Sequence, residues 1–400
     1  MKLSQRAQNL KPSPTLEIAA KAKALKAEGH DVISLSVGEP DWDTYPEISK
    51  AGIQAIEAGR TKYAPAGGLP ELKSAIAEVA GDELGLEFSP QEVTVSSGAK
   101  FILFSALQML LDPGDEVLIP IPYWVSYPTM VELAGGTPVL VPTDEGKRFH
   151  LTGSDLKSKV TERTKVLILN SPNNPSGEVY SKAALLEVAE FLKAHPQITV
   201  LSDDIYNRLI FDGDQKVAPH LLQVAPELKD RVVLINGVSK SFSMTGWRLG
   251  WAVGNPQLIK AMSNYQSQSV SCAAPFTQVA STFALKNCWA QVTESNKTLI
   301  KRRNLFVDQL NTIPGLQVQS PGGAFYLWVN AKGWLGKSFQ DHRIESTRDL
   351  AMTLLEVERL AVVPGAESGV EGYLRISFAL DEVSINIACD RLKKFAANLT

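Results

Sequence analysis

The sequence is poor in cysteine, has no excess of one charge and has no long apolar run. Three cysteines are scattered over 400 residues, too few and too far apart for a disulfide framework, and no Cys-x-x-Cys pair or histidine cluster indicates a metal site. The 40 basic and 43 acidic residues leave a formal net charge of −3, which excludes the basic excess typical of nucleic-acid binders. We therefore expect a small-molecule ligand and a reducing compartment.

No segment of the sequence is typical of export or membrane insertion. Residues 1–11 interleave polar side chains where a secretion signal needs a continuous apolar stretch. The most apolar window, 101–111, is interrupted by Ser105 and Gln108 and has roughly half of the ~20 residues that a membrane span needs. These absences predict a cytoplasmic protein. With 400 residues, the chain is large enough for two domains.

Short β-rich runs alternate with helical patterns from about residue 45, and this alternation predicts a doubly wound, mostly parallel α/β sheet. The predicted strands are 92–96, 116–119, 137–141, 165–170, 198–202, 231–236 and 249–253, and the predicted helices are 69–84, 99–111, 123–133 and 181–194. We assign residues 45–310 to this large domain. The distinctive polar residues follow these strands, and open α/β sheets bind ligands at the carboxyl ends of their strands.

A smaller α+β domain is predicted from residues 311–400 together with residues 1–44, which include an N-terminal arm and a strand at 32–36. Its further strands are expected at 325–329, 360–363 and 373–378, and its helices at 347–357 and 382–397. Arg375 lies in the last of these strands, where a buried arginine needs a partner. A bidentate carboxylate ligand would satisfy it, although an exposed arginine is the commoner alternative.

Lys240 lies in the stretch 238–248, VSKSFSMTGWR, directly after the apolar run 231–236. A lysine fixed at the end of a buried strand, followed by Arg248, suits an imine to an aldehyde cofactor whose phosphate needs a nearby cation. The stretch therefore predicts pyridoxal phosphate at Lys240. Taken alone, Lys240 is more typical of a solvated loop. The alternative for Arg248 is a structural ion pair, but its fixed fork of donors matches phosphate geometry better than a lysine would.

Other strand ends carry residues that fit the same cofactor. The turn 96–100, SSGAK, would direct free amides of Gly98 and Ala99 towards a phosphate, unless it is an ordinary strand-to-helix turn. Asp203 follows a buried strand and suits the cofactor's pyridine nitrogen, because a carboxylate there keeps the nitrogen protonated. The alternative is that both Asp203 and Asp204 are loop or capping acids.

Three further residues fit the plane and the phenolic oxygen of such a cofactor. Asn174, in the rigid turn 170–177, and Tyr206 are each able to donate a hydrogen bond to the phenolic oxygen. Trp124 is the aromatic residue that we expect to stack on the ring. Aromatic residues in such positions are more often part of the core, so this assignment depends on the other motifs.

Together these stretches resemble the class I aminotransferases, pyridoxal-phosphate enzymes of the aspartate aminotransferase fold, which is fold type I of these transferases. The likeness covers nearly the whole chain. Its motifs, in the family's order and spacing, are VGEPD at 37–41, YAPAG at 63–67, PYW at 122–124, NNPSG at 173–177, SD and IY within 202–206, SKSFSMTGWR at 239–248 and GAFY at 323–326. Any one motif is weak, but the set is highly specific.

The resemblance implies a role for each candidate residue. Lys240 would hold the cofactor and act as the catalytic base, with Asp203 at the pyridine nitrogen; the other cofactor contacts would be Asn174, Tyr206, Trp124, Arg248, Gly98 and Ala99. The α-carboxylate of the substrate would bind Arg375, Asn174 and the amide of Gly38. Tyr63 would reach the phosphate of a neighbouring subunit, which implies a homodimer.

Departures from the family pattern narrow the resemblance. No arginine occurs between Arg248 and Arg302, a region where animal-type aspartate enzymes supply one for the second carboxylate of the substrate. The sequence is instead similar to the bacterial branch, subgroup Ib, in which Lys100 and the segment 13–15 would take that role. Gly237 stands where many relatives have a phosphate-binding serine, and Asp204 replaces the more usual glutamate.

The resemblance implies ping-pong transfer of the amino group of L-aspartate to 2-oxoglutarate, with Lys240 moving the α-proton. The nearest alternative is an aromatic-amino-acid or prephenate aminotransferase of the same branch, which would keep every catalytic residue. Less favoured are a lyase or decarboxylase that shares the cofactor and a non-catalytic, ligand-sensing regulator. The regulator would need a DNA-binding segment, of which the sequence has no sign.

Overall fold

Helices cover a seven-stranded sheet in the first part of the chain, and a second, smaller sheet follows it. This computed structural model describes residues 1–10, 14–213, 215–340 and 342–400, without the side chains of residues 9 and 14–17. The strands are β1 (Ile33–Ser34), β2 (Val93–Ser96), β3 (Glu116–Pro120), β4 (Thr137–Val141), β5 (Thr164–Asn170), β6 (Thr199–Asp203), β7 (Val232–Gly237), β8 (Gly250–Val253), β9 (Tyr326–Asn330), β10 (Ser338–Phe339), β11 (His342–Arg343), β12 (Leu360–Ala361), β13 (Val363–Pro364) and β14 (Tyr373–Ser377).

The helices alternate with these strands and confirm the predicted α/β class. They are α1 (Gln5–Asn9), α2 (Pro14–Ala27), α3 (Pro46–Glu57), α4 (Pro70–Leu84), α5 (Ala99–Leu110), α6 (Ser126–Leu133), α7 (Gly153–Lys157), α8 (Lys182–Ala194), α9 (Leu221–Val224), α10 (Pro256–Ser267), α11 (Pro275–Asn287), α12 (Trp289–Leu310), α13 (Thr347–Val357) and α14 (Glu382–Ala397). Within the described ranges, none of them has both the length and the apolar character needed to cross a bilayer.

The large sheet has the strand order β2-β8-β7-β6-β5-β3-β4. Strands β7, β6, β5, β3 and β4 are mutually parallel, whereas β8 is antiparallel to both of its neighbours. The central strands are nearly continuous runs of Val, Ile and Leu because both faces of the sheet are buried beneath helices. The carboxyl ends of β5, β6 and β7 therefore lie side by side at one edge.

Helix α5 shows how the sequence places a helix against this sheet. Ile102, Leu103, Ala106 and Leu107 are buried at the i, i+3, i+4 spacing of an apolar helical face. The helix begins after Gly98, whose φ of 93° is in the region that favours glycine. Its amino terminus consequently lies at the end of β2, near the edge formed by the central strands.

The second sheet is antiparallel, in the order β13-β14-β9, and β1 pairs in parallel with β12 nearby. The predicted strand 360–363 is two short strands, because β12 pairs with β1 whereas β13 pairs with β14. Helices α3, α10 and α11 lie where the sequence analysis placed none. The assignment of residues 45–310 to one domain, and of 1–44 with 311–400 to the other, stays a prediction.

Candidate active site

A cleft of about 320 Å³ lies between the edge of the large sheet and strand β14, a size within the range of small-molecule sites. It brings together residues that are far apart in the sequence. The predicted residues that line it are Gly38, Ala99, Lys100, Trp124, Asn174, Asp203, Tyr206, Lys240, Arg248 and Arg375. Gly98 directly precedes Ala99, whereas Tyr63 does not line the cleft.

Lys240 follows the end of β7, and its Nζ donates a hydrogen bond to the carbonyl oxygen of Gly38. Loss of hydration in the cleft lowers the pKa of Lys240 to about 8; Glu39 opposes this shift, and the cations Arg375 and Arg248 add to it. With such a pKa, roughly a tenth of the amine is unprotonated at neutral pH. Lys240 is therefore suited to accept and return protons.

Asp203, the last residue of β6, is a buried carboxylate at the floor of the cleft. The Tyr127 hydroxyl donates to its Oδ2 atom at 2.6 Å, and burial raises the pKa of Asp203 to about 6. No ion pair of Asp203 occurs among the described residues. A buried carboxylate without a cation is costly, so this position favours a ligand that supplies positive charge.

Asp204 has a different environment from Asp203, as alternate residues of a strand end point to opposite faces. Its Oδ1 atom accepts a hydrogen bond of 2.7 Å from the Ser202 hydroxyl, and its Oδ2 atom lies 3.5 Å from Nε2 of His220. His220 in turn caps α9 by accepting from the amide of Leu222. Asp204 is thus a structural acid that lies outside the cleft.

The opposite end of the cleft has features suited to a phosphate. Ala99, the first residue of α5, is at a position where backbone amides lack intrahelical partners. Arg248 lies against Gly98, because a Cβ at Gly98 would be 2.6 Å from its Nη2 atom. A Cβ at Gly250 would likewise lie 2.2 Å from the Ala99 nitrogen, so β8 supports this loop directly.

The Gly98 amide differs from the expectation of a free donor. It donates to the carbonyl oxygen of Ser96 at 2.8 Å, so the prediction that this amide is free is wrong. Gly98 closes a tight turn before α5, and its N–H group is hydrogen-bonded within that turn. The Ala99 amide and Arg248 remain as the predicted phosphate donors.

Arg375 reaches the cleft from β14 and is buried. Its Nη1 atom donates to Oδ1 of Asn174 at 3.1 Å, and its Nη2 atom donates to the carbonyl oxygen of Ser36 at 2.7 Å. Its buried Nε atom has no hydrogen-bond partner among the described residues. Because an unpaired buried donor costs free energy, this arginine is suited to an additional anionic ligand.

Trp124 and Lys100 form one wall of the cleft. The Lys100 Nζ atom lies 4.7 Å from the centre of the Trp124 ring system, which is cation–π distance. Burial, together with the charge of Arg248, lowers the pKa of Lys100. A cation here is positioned to attract a second acidic group on a substrate.

Two tyrosines of the cleft, Tyr127 and Tyr326, were given no role in the sequence analysis. Tyr127 holds Asp203, as described above, and the Tyr326 hydroxyl lies 2.9 Å from that of Tyr206. Tyr127 lies in the first turn of α6 and Trp124 just before that helix, and the Tyr127 amide donates to the Trp124 carbonyl oxygen at 3.0 Å. Tyr326 ends the GAFY motif, but its partner lies 120 residues away in the sequence.

One predicted residue lies outside the cleft, and one predicted segment is not among the residues whose side chains are described. The Tyr63 side chain is 93% exposed, so its predicted contact with a neighbouring subunit is neither made nor tested within this chain. The segment 13–15 lies outside the residues whose side chains the structure describes. Among the described residues, no group of His, Cys, Asp and Glu side chains has the arrangement of a metal site.

Comparison with known proteins identifies the family. The family model "Aminotransferase class I and II" matches residues 30–392. The aspartate/prephenate aminotransferase of Cereibacter sphaeroides is 44% identical, over 100% of this chain and 99% of that protein. The aspartate aminotransferase of Geobacillus stearothermophilus is 42% identical over 99% of both chains.

Solved structures give the same result. The aspartate aminotransferase of Rhizobium meliloti superposes with a TM-score of 0.96 at 42% identity, with 100% of both chains covered. The enzyme from Thermus thermophilus, solved with maleate, has a TM-score of 0.92 at 37% identity and covers 99% of this chain and 100% of that one. The fold and the predicted resemblance are confirmed: the chain belongs to the class I and II aminotransferase family.

Proposed function

We propose that the chain transfers the amino group of L-aspartate to 2-oxoglutarate with pyridoxal phosphate bound at Lys240. The observation that carries this proposal is the convergence, in one cleft, of a lysine of lowered pKa with a buried carboxylate and a buried arginine; among the described residues the carboxylate has no ion pair and the arginine Nε atom has no hydrogen-bond partner. When bound, the cofactor would supply an electron sink for the carbanion formed at the substrate's α-carbon. Each of the three groups matches a different part of the cofactor or the amino acid.

The residues of the chain divide the work between binding and proton transfer. Asp203 would bind the protonated pyridine nitrogen, while Arg248 and the Ala99 amide would hold the phosphate. Asn174 and Tyr206 would contact the phenolic oxygen, and Trp124 would stack on the ring. Lys240 would remove the substrate's α-proton and return it to C4′ of the cofactor, on the other side of the amino nitrogen, because its pKa of about 8 permits both steps near neutral pH.

Dicarboxylic substrates are supported by the two cationic ends of the cleft. Arg375, with Asn174 and the Gly38 amide, would bind the α-carboxylate, and Lys100 would bind the second carboxylate. The relatives named aspartate aminotransferase point to the same substrate. Prephenate or an aromatic amino acid is the second candidate, because other relatives are named aspartate/prephenate aminotransferases and Trp124 offers an aromatic wall.

A homodimer is part of the proposal. The ring of Tyr63 is nearly fully exposed within one chain and is therefore accessible to a second subunit, and the resemblance assigns it to the phosphate end of a neighbouring site. Mixing Tyr63→Phe with a Lys240→Ala variant would test this assignment. Hybrid dimers with one native site would regain activity only if each site uses Tyr63 from the other subunit.

The central test is a spectroscopic half-reaction with the purified yellow enzyme. L-aspartate should bleach the visible band and yield oxaloacetate, and 2-oxoglutarate should restore the band and yield L-glutamate. Release of ammonia or carbon dioxide in place of these products would contradict transamination. Bleaching by phenylalanine or prephenate but not by aspartate would select the second candidate, and kcat/KM for the three donors would rank them.

A further inference from the structure

Tyr326 contacts three other residues of the cleft, namely Tyr206, Arg375 and Gly38. Its hydroxyl lies 2.9 Å from the Tyr206 hydroxyl, and its ring lies 4.6 Å from the Arg375 guanidinium carbon. A Cβ at Gly38 would be 3.2 Å from the Tyr326 oxygen, so the backbone at Gly38 also packs against this hydroxyl. Tyr326 is only 1% exposed and Tyr206 only 3%, so water does not compete for their hydrogen bond.

Each hydroxyl has only one hydrogen atom to donate, so a ligand that accepts from Tyr206 would determine which tyrosine donates in the bond between Tyr326 and Tyr206. Burial raises the pKa of Tyr206 and of Tyr326, so both phenols are neutral and each carries one hydrogen. If Tyr206 donates its hydrogen to an acceptor in the cleft, its oxygen has to accept from Tyr326. The bond then runs from Tyr326 to Tyr206 and on to the ligand.

We propose that Tyr326 is a positioning residue whose hydroxyl donates to Tyr206 and thereby strengthens the hydrogen bond that Tyr206 donates to the phenolic oxygen of the cofactor. The inference rests on the proposed function and adds to it a residue that acts through another. Hydrogen bonds in such chains polarise one another. A stronger donor at the phenolic oxygen favours the unprotonated form of the group to which that oxygen belongs.

The ring of Tyr326 has a second contribution that is separable from its hydroxyl. The Arg375 guanidinium over the ring gains cation–π attraction, and the ring limits the positions that this arginine adopts. Tyr326→Phe removes the hydroxyl and keeps the ring, whereas Tyr326→Leu removes both. The two variants therefore distinguish the effect on Tyr206 from the effect on Arg375.

The experiment is a pH titration of the visible absorption band of the loaded enzyme, combined with maleate binding followed by the same band. Tyr326→Phe should raise the pKa of the titration by about 0.1 to 0.7 unit, because a neighbouring bond in a chain strengthens a hydrogen bond by roughly 10–30%, and should leave the Kd for maleate unchanged. Tyr326→Leu should raise both. Tyr180→Phe, at a buried tyrosine bonded to the backbone of Leu151 outside the cleft, should change neither.

A double-mutant cycle decides whether Tyr326 acts through Tyr206. Tyr206→Phe should raise the pKa at least as much as Tyr326→Phe, and the double variant should add nothing to Tyr206→Phe. Additive shifts, or no shift in Tyr326→Phe, would overturn the proposal. Absence of a shift in Tyr206→Phe would overturn it as well, but wild-type colour and transamination would leave the proposed function intact.

A structural measurement covers the case in which a variant fails to fold. A crystal structure of the loaded wild-type enzyme should keep the two hydroxyl oxygens within hydrogen-bonding distance and place Tyr206 within reach of the phenolic oxygen. Separation of the hydroxyls beyond about 3.5 Å would refute the relay.

Discussion

The two ends of the cleft are built differently. At the cofactor end, Asp203 is held by Tyr127, 76 residues away within the same sheet-and-helix unit. At the carboxylate end, Arg375 contacts Asn174 and Ser36 across sequence separations of 201 and 339 residues, and its Nε atom has no partner among the described residues. Asp203 is thus held by a partner from the same unit, whereas Arg375 is held between distant segments and keeps one donor without a partner among the described residues. Substitutions should accordingly reduce kcat at the first end and raise KM at the second.

The largest effect is expected at Lys240. Lys240→Ala should lower kcat by at least about 10³-fold, since proton transfer by a positioned base contributes up to about 10⁴-fold. Steady-state rates with aspartate and 2-oxoglutarate measure this loss. Borohydride reduction and peptide mass mapping of the wild type should find the modification at Lys240; more than trace activity in the variant would refute its role as the base.

Asp203 and Asp204 form a matched pair at the end of β6, one inside the cleft and one outside it. Asp203→Asn should lower kcat roughly 100-fold, as expected for loss of a charged hydrogen bond of up to about 3 kcal/mol. Asp204→Asn should change kcat only a few-fold, because this acid contacts Ser202 and His220 outside the cleft. Equal losses of kcat in the two variants would show that negative charge at the strand end matters, whether or not the carboxylate faces the cleft.

The raised pKa of Asp203 predicts a pH dependence of stability in the apoprotein. Its folded-state pKa of about 6 lies above the ordinary value of 3.8, so the protonated form favours the folded state. The free energy of unfolding should fall by at most roughly 3 kcal/mol as pH rises from about 4 to about 6, and this contribution should stay constant above pH 6. The difference in melting temperature between the wild type and Asp203→Asn, measured as a function of pH, reports this contribution. If the wild type continued to lose stability relative to the variant above pH 7, the assignment would be contradicted.

At the carboxylate end, Arg375→Lys should raise KM for aspartate about 10- to 30-fold with a smaller change in kcat. The substitution keeps the positive charge but removes the planar fork that bonds a carboxylate with two parallel N–H groups. Maleate inhibition should weaken in parallel. A fall in kcat with unchanged KM would place Arg375 at the cofactor end after all.

The smallest effect is expected at Lys100. Lys100→Met should raise KM for aspartate about 5-fold, because the side chain is partly open to solvent and its charge is screened. The KM for phenylalanine should not rise, since this donor has no second carboxylate. A proportional rise for both donors would indicate that Lys100 supports Trp124 instead of reading the substrate.

The fold was largely predictable because strands buried on both faces leave a strong sequence signal. The helices 347–357 and 382–397 were predicted at the bounds that the structure shows. Helices α10 and α11 were missed although each begins with a proline at a typical helix start. Their buried faces include polar side chains, such as Gln266 in α10 and Gln278 and Ser281 in α11, which give no apolar signal in the sequence.

The site was predictable where a single motif carries the chemistry, as at Lys240. It was not predictable where contacts cross between distant segments. Nothing local in the sequence indicates that the Tyr326 hydroxyl meets Tyr206 or that Tyr127 donates to Asp203. The family resemblance assigned Asn174 and Arg375 to the same substrate carboxylate, but it did not predict their direct hydrogen bond across 201 residues.

Strand β8 contributes to the phosphate end of the cleft through its backbone and not through a charged side chain. The missing side chain at Gly250 lets the main chain of Ala99 approach so closely that an added methyl carbon would lie 2.2 Å from its nitrogen. Any larger residue at position 250 would displace the turn although no charged residue of the cleft had been substituted. Affinity for a phosphorylated ligand is thus limited by the spacing between two backbones, and an alanine scan of ionic side chains alone would overlook it.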